Sequence, residues 1–143
     1  MTYADSSVIV KRYYEEPGSE RVYDRWAASG RIFTSRVAYA EVHAALARKR
    51  RDGDLAPALY RRGASAFEAE WPAYEQIAVD GVTMADVLRL VRRYALRGYD
   101  AIHLSAALWA RRQIDDPMEF WVSDERLERA ARREQIRVVN PAL

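Results

Sequence analysis

Short apolar runs alternate along this chain with longer segments of helical period. Thr2 to Ala4 forms a brief strand, and Ser6 to Tyr14 places Val8, Ile9 and Tyr13 on one helical face. Glu15-Glu16-Pro17-Gly18 stops that helix, because proline and glycine break helical pairing. A second helix covers Ser19 and Arg21 to Ala28, Gly30 ends it, and Arg31 to Thr34 is a strand. Ser35 caps a long helix to about Arg51, closed by Asp52-Gly53-Asp54. Leu55 to about Trp71 is helical, with Pro57 tolerated in its first turn. Gln76 to Val79 follows as a strand, and Thr83 caps a helix to about Arg97 with Gly98 beyond its end. The apolar run GYDAIHLSAAL, from Gly98 to Leu108, begins the next helix. After Asp115-Asp116-Pro117 come a strand at Glu119 to Val122, a helix opened by Ser123-Asp124 and ending near Gln135, and a last strand at Ile136 to Val139.

Strands alternating with helices predict crossover units, hence an α/β fold whose mainly parallel sheet is sandwiched between helices. No repeat, linker or low-complexity tract interrupts the pattern, so residues 1–143 read as a single domain. Composition changes this picture little: 50% hydrophobic and 31% charged residues are ordinary for a globular chain. The absence of cysteine excludes disulfides and thiolate metal sites. No basic segment followed by an apolar core opens the chain, and no run is long enough for a membrane span. The expected compartment is the cytoplasm. A net charge of +2 does not by itself argue for nucleic acid. Nearly every base is arginine, with Lys11 and Lys49 the only lysines. Arginine suits bidentate phosphate contacts, and a GC-rich genome gives the same bias.

Chemistry enters through acids in apolar settings. Asp5 is the only charged residue from Met1 to Val10, placed where the first strand turns into the first helix. Glu41 stands in VAYAEVHAALA, otherwise uncharged apart from His43. Asp100 opens the GYDAIHLSAAL helix, and Asp124 follows the strand Phe120-Trp121-Val122 and Ser123. Asp5, Asp100 and Asp124 each also read as N-caps, worth about 1 kcal/mol over alanine. Glu41 lies too far inside its helix for that reading. A buried carboxylate must pair, protonate or meet a cation, and no arginine shares Glu41's apolar face. In open parallel sheets ligands bind at the carboxyl ends of the strands, where Asp5 and Asp124 fall and Glu41 and Asp100 can reach. An all-oxygen donor set points to Mg²⁺ or Mn²⁺ rather than zinc, and such an ion suits phosphodiester hydrolysis by an activated water.

The order Asp5, Glu41, Asp100, Asp124, carried on YADSSVIVKRYYEEPGSE, SRVAYAEVHAALARK, LRGYDAIHLSAALWA and FWVSDERLERAAR, resembles the PIN-domain ribonucleases. Among them it looks like the VapC toxins of bacterial type II toxin–antitoxin pairs. The resemblance spans about Tyr3 to Val139. It implies a three-layer α/β/α sandwich with about five parallel strands. It also implies a Mg²⁺- or Mn²⁺-dependent endoribonuclease that cuts RNA, forms a homodimer and is silenced by a VapB-like antitoxin. By the same resemblance the four acids match the family's metal-binding acids, and Ser6 and Ser123 match hydroxyl residues that support them.

Other residues read more plainly. His103, three residues after Asp100, is expected to be a packed helix histidine, and His43 a structural or surface one. Arg48-Lys49-Arg50-Arg51 is expected to be a solvated helix end. Lys11 and Arg12, on the helix after Asp5, are placed to meet RNA phosphates. Most of the aromatic residues sit at core spacing. A phosphoacceptor signalling domain is disfavoured by the lone Asp5, by the absence of an aspartate after Arg31 to Thr34, and by the absence of any lysine beyond Lys49. A non-catalytic PIN-like RNA- or protein-binding module is the alternative.

Overall fold

The computed structural model describes residues 1–143. Its strands are β1 (Thr2–Ala4), β2 (Ile32–Ser35), β3 (Glu75–Ile77), β4 (Glu119–Trp121) and β5 (Arg137–Val139). Its helices are α1 (Ser6–Tyr13), α2 (Ser19–Ala28), α3 (Val37–Arg51), α4 (Pro57–Glu70), α5 (Val87–Arg93), α6 (Gly98–Gln113) and α7 (Glu125–Arg133). A short 3-10 turn, Trp71–Ala73, leads into β3. The five strands form one sheet in the order β3-β2-β1-β4-β5, and every adjacent pair is parallel.

Because parallel strands need crossovers, both faces of the sheet are covered, and the core divides accordingly. One apolar cluster joins Tyr3, Leu90, Leu104, Phe120 and Leu127, on the side of α5, α6 and α7. The other joins Ile9, Val22, Val42, Leu46 and Phe67, on the side of α1 to α4. The expected three-layer α/β/α sandwich is therefore the observed one. Close packing is sharpest at Gly63 of α4, where a Cβ would come 2.6 Å from the carbonyl oxygen of Tyr13. Only glycine lets α1 and α4 approach that closely.

Several boundaries differ from the sequence expectation. Ser35 ends β2, and Arg36 rather than Ser35 is the N-cap of α3. β3 stops at Ile77 rather than running to Val79. Thr83 does not cap a helix. The Asp80 carboxylate accepts the amides of Val82 and Thr83 at 2.9 and 3.0 Å, and the Thr83 hydroxyl donates to the Ala78 carbonyl at 2.6 Å. These local bonds hold a series of turns, so α5 begins only at Val87. Gly98 is the first residue of α6 rather than a terminator of α5, with Arg97 as the N-cap.

The topology fixes where a ligand can lie. From β1 the chain steps outward through β2 and β3, and then returns to β4 and steps to β5 on the other side. Crossovers therefore diverge between β1 and β4, leaving a crevice at their carboxyl ends. Ala4 pairs with Trp121 in this register, so the residues just beyond both strands emerge side by side.

Candidate active site

Asp5 leaves β1 at the crevice, its backbone amide donating to the Trp121 carbonyl at 2.9 Å. Its carboxylate caps α1. Oδ2 accepts the Ser7 amide at 3.0 Å and the Ser7 hydroxyl at 2.5 Å. The same Ser7 oxygen accepts the Ser123 amide at 3.0 Å, tying the start of α1 to the segment after β4. Asp124 caps α7, with Oδ1 accepting the Leu127 amide at 3.0 Å. Asp100 completes a capping box at the start of α6, its Oδ2 accepting the Arg97 amide at 3.2 Å. Capping and chemistry do not compete for the same atoms. Asp5 and Asp124 each commit one oxygen to a helix terminus and turn the other to a charged side chain. Asp100 leaves Oδ1 without a hydrogen-bond partner.

Two cations of the chain join the acids in pairs. Arg97 reaches Asp100 Oδ2 through Nε at 3.2 Å and Asp124 Oδ2 through Nη2 at 3.5 Å. His103 donates from Nε2 to Glu41 Oε1 at 2.6 Å and lies 3.6 Å from Asp5 Oδ1. Behind it, Nδ1 meets the Tyr3 hydroxyl at 2.8 Å, and that hydroxyl accepts the Ser35 amide at 3.1 Å. His103 has no exposed surface, whereas the Arg97 side chain is 70% exposed. Burial pulls the His103 pKa down, but Asp5, Glu41 and Asp100 together outweigh it and hold the imidazole above its ordinary value. Burial, then the charge of Asp5, keeps the Tyr3 phenol well above the ordinary range and thus neutral.

His103 is packed within its helix face, as its place in the sequence predicts. It also hydrogen-bonds the one acid with no capping role. Its position one helical turn after Asp100 was the available signal. Ser7, two residues into the helix that Asp5 caps, takes the contact with the first acid. Ser6 lines the cleft instead, and no hydrogen bond links its hydroxyl to the acids. Lys11 is buried and donates to Glu16 at 3.0 Å and the Pro17 carbonyl at 2.9 Å. Arg12 pairs with Glu70 at 2.8 Å. Both charges are thus engaged within the chain. His43 bonds Glu68 at 2.7 Å and takes no part in the acid contacts.

The donor set is all oxygen, the chemistry a hard divalent ion takes. The Ser123 hydroxyl oxygen, beside Asp124 and in the segment tied to Asp5 through Ser7, is buried without a hydrogen-bond partner. An orphan oxygen among carboxylates fits a place that receives a hydrated cation. As they lie, no three carboxylate or imidazole groups stand at metal-ligating separation. Arg97 and His103 hold them instead. In donor chemistry the residues fit Mg²⁺ or Mn²⁺, and binding would exchange the contacts with Arg97 for contacts with the ion.

Comparison with known proteins bears on this site. The sequence matches the family model of the PIN domain over residues 2–133. It is 33% identical over 139 residues to ribonucleases VapC45 and VapC49 of Mycobacterium tuberculosis, covering 96% of this chain and 94% of theirs. The fold is similar to that of FitAcB from Neisseria gonorrhoeae, with a TM-score of 0.72 at 18% identity, over 99% of this chain and 98% of that one. A toxin–antitoxin complex from Klebsiella pneumoniae superposes with a TM-score of 0.68 at 13% identity and the same coverage.

Proposed function

Because the chain belongs to the PIN domain family, we propose that it works as a single PIN domain over residues 1–143 and as a VapC-like endoribonuclease toxin. In this reading Asp5, Glu41, Asp100 and Asp124 hold a Mg²⁺ or Mn²⁺ ion and the reaction is hydrolysis of RNA phosphodiester bonds. One observation supports it: Asp5 and Asp124 at the N-caps of α1 and α7 are drawn toward Glu41 of α3 and Asp100 of α6 through His103 and Arg97, and Asp5, Asp100 and Asp124 each commit only one oxygen to a helix cap. When bound, the ion supplies an activated water and stabilises charge on the phosphoryl and leaving oxygens.

The protein's own residues prepare that chemistry. Ser7 fixes the rotamer of Asp5 through two hydrogen bonds to one oxygen, which leaves the other facing His103. Tyr3 fixes the ring of His103, and His103 fixes Glu41, so the acid with no cap is held by a buried chain of hydrogen bonds. Such outer contacts orient ligands and tune their basicity. Arg97 offsets the repulsion of Asp100 and Asp124, which would otherwise oppose their approach. The toxin reading adds a cognate VapB-like antitoxin, a homodimer and a cytoplasmic location. No helix of the chain is long and apolar enough to cross a membrane.

The test is a pair of isosteric changes. Asp5→Asn and Asp100→Asn are expected to abolish RNA cleavage while circular dichroism and melting temperature stay near those of the parent. Cleavage by the parent should stop on chelation and return with Mg²⁺ or Mn²⁺. Undiminished cleavage by both variants would sink the assignment. The alternative, a non-catalytic RNA- or protein-binding module, draws on the engagement of the acids with Arg97 and His103; absence of Mn²⁺ binding to the parent would favour it. Growth arrest on expression, relieved by co-expression of a VapB-like antitoxin, tests the toxin role.

A further inference from the structure

Helix α7, with the sequence ERLERAARR, sorts its charges by face. Arg126, Arg129 and Arg133 follow one another at three and four residues and so share one stripe of the helix. Glu128 and Arg132 lie off that stripe and pair with each other at 2.8 Å. Across from the stripe stands Arg93, the last residue of α5. These four arginines line one cavity of about 200 Å³, and the small side chains of Ala95 and Ala130 leave it open between them.

Four arginines elsewhere that reach across to other elements meet acids there. Arg12 pairs with Glu70 at 2.8 Å, Arg31 with Glu75 at 2.8 Å, Arg89 with Glu134 at 2.9 Å and Arg112 with Asp86 at 2.7 Å. In the α5–α7 cavity that match is missing. Arg93, Arg126 and Arg133 are exposed without a carboxylate partner, and Arg129 has only a loose contact with Glu125 at 3.7 Å. Glu134, just past the end of α7, is already taken by Arg89 and the Tyr94 hydroxyl. Four like charges around one small opening repel one another, and an anion seated among them reverses the sign of that interaction.

We propose that this cavity is a binding site for linked phosphates, the chemistry of a nucleoside di- or triphosphate or of inorganic polyphosphate. Guanidinium forks match phosphate oxygens two at a time. Charge density selects the class. A terminal phosphate carries up to about two negative charges near neutral pH, more than the linkages of a nucleic-acid backbone carry. A di- or triphosphate therefore concentrates in this small space the charge that four converging arginines call for. The base is not read, because the one ring on the cavity, Tyr94, is buried and covered by the Arg93 guanidinium at 5.6 Å. The site uses none of the four acids, yet Arg97 follows Arg93 by four residues and Asp124 precedes Arg126 by two. An occupant thus fastens the link between α5 and α6 to α7, beside the contact of Arg97 with Asp124.

The test uses the full chain in EDTA, at an ionic strength held constant with chloride. Isothermal titration calorimetry with inorganic triphosphate should give a Kd below about 1 mM, and sulfate should bind at least about tenfold more weakly. Equal affinity for triphosphate, ATP and GTP would assign the site to polyphosphate, tighter binding of both nucleotides would assign it to them, and either result supports it. Arg93→Gln on α5, and Arg129→Gln combined with Arg133→Gln on α7, should each weaken binding about tenfold or more with unchanged circular dichroism. Arg132→Gln, on the other face, should bind like the parent. Sulfate binding as tight as that of triphosphate, or cavity variants that bind triphosphate undiminished, overturns the proposal. So does an unstructured RNA without terminal phosphates that displaces triphosphate at equal phosphate concentration, since the arginines would then serve a nucleic-acid backbone. Failure here leaves the ribonuclease reading standing, because no acid or metal takes part.

Discussion

Asp5 with Glu41, and Asp100 with Asp124, are two pairs of like charges held by two different means. The first pair meets at His103, an imidazole without exposed surface, backed by Tyr3 and the Ser35 amide. The second meets at Arg97, whose side chain is 70% exposed and anchored only through the acids themselves. A buried cation cannot leave without unfolding its surroundings, so His103 is part of the frame. An exposed one exchanges with solvent ions at little cost, so Arg97 is a placeholder. The contrast assigns stability to one half of the site and ion exchange to the other.

The change expected to matter most is His103→Ala. It opens a cavity in the core, leaves the Tyr3 hydroxyl with the Ser35 amide alone and strips Glu41 of its only hydrogen bond. Together these should cost about 3 kcal/mol in urea denaturation, along with most of the cleavage rate. A loss below about 1 kcal/mol would break the comparison, because His103 would then be no more structural than Arg97. His103→Gln, which keeps a donor, should recover part of the loss. The frame also has a pH signature. The folded imidazole titrates above its ordinary value of about 6.5. Its charge therefore stabilises the fold fully below that value, and the gain is lost as pH rises through the folded pKa. Measured in EDTA, the stability gap between parent and His103→Gln should narrow as pH climbs from about 6.5. A widening gap would contradict the charge balance around His103.

This division between frame and placeholder was only partly legible in the sequence. The alternation of strands and helices predicted the sandwich, because each period reports which face of its own element is buried. The four acids stood out because a carboxylate in an apolar stretch needs a partner, and that need is visible locally. Their partners were not. Glu41 and His103 are separated by 62 residues, and Tyr3 and His103 by 100, so no local rule joins them. Ser6 and Ser7 are adjacent hydroxyls, and cap geometry alone selects Ser7, whose amide and side chain both reach Asp5. Lys11 looked free on its helix, but Glu16, just past the break at Tyr14, folds back to meet it. The late start of α5 has the same origin: Asp80 and Thr83 satisfy backbone groups locally and so compete with the helix.

Tyr3→Phe tests the frame more gently. It keeps the ring and its stacking on Phe120 but removes the oxygen that serves His103 and the Ser35 amide. Leaving a buried amide unpaired should cost about 1.5 kcal/mol. Because Glu41 is then held by a less constrained imidazole, cleavage should fall while Mn²⁺ affinity changes little. Stability equal to the parent would mean that the frame ends at His103.

Arg97→Gln should have the smallest effect on the fold and is the variant that separates the two halves. The Arg97 backbone amide still donates to Asp100, so the capping box keeps its helix end. What disappears are the two ion pairs of an exposed guanidinium, together worth about 1 kcal/mol in the metal-free protein. That same quantity is what a divalent ion must displace in order to reach Asp100 and Asp124. Its removal should therefore tighten Mn²⁺ binding about threefold by isothermal titration calorimetry, the equivalent of roughly 0.7 kcal/mol. His103→Gln should not tighten binding, because its role is to position Glu41 rather than to compete for the ion. If Arg97→Gln instead loosens Mn²⁺ binding, Arg97 orients the acids as His103 does, and the two halves of the site are alike.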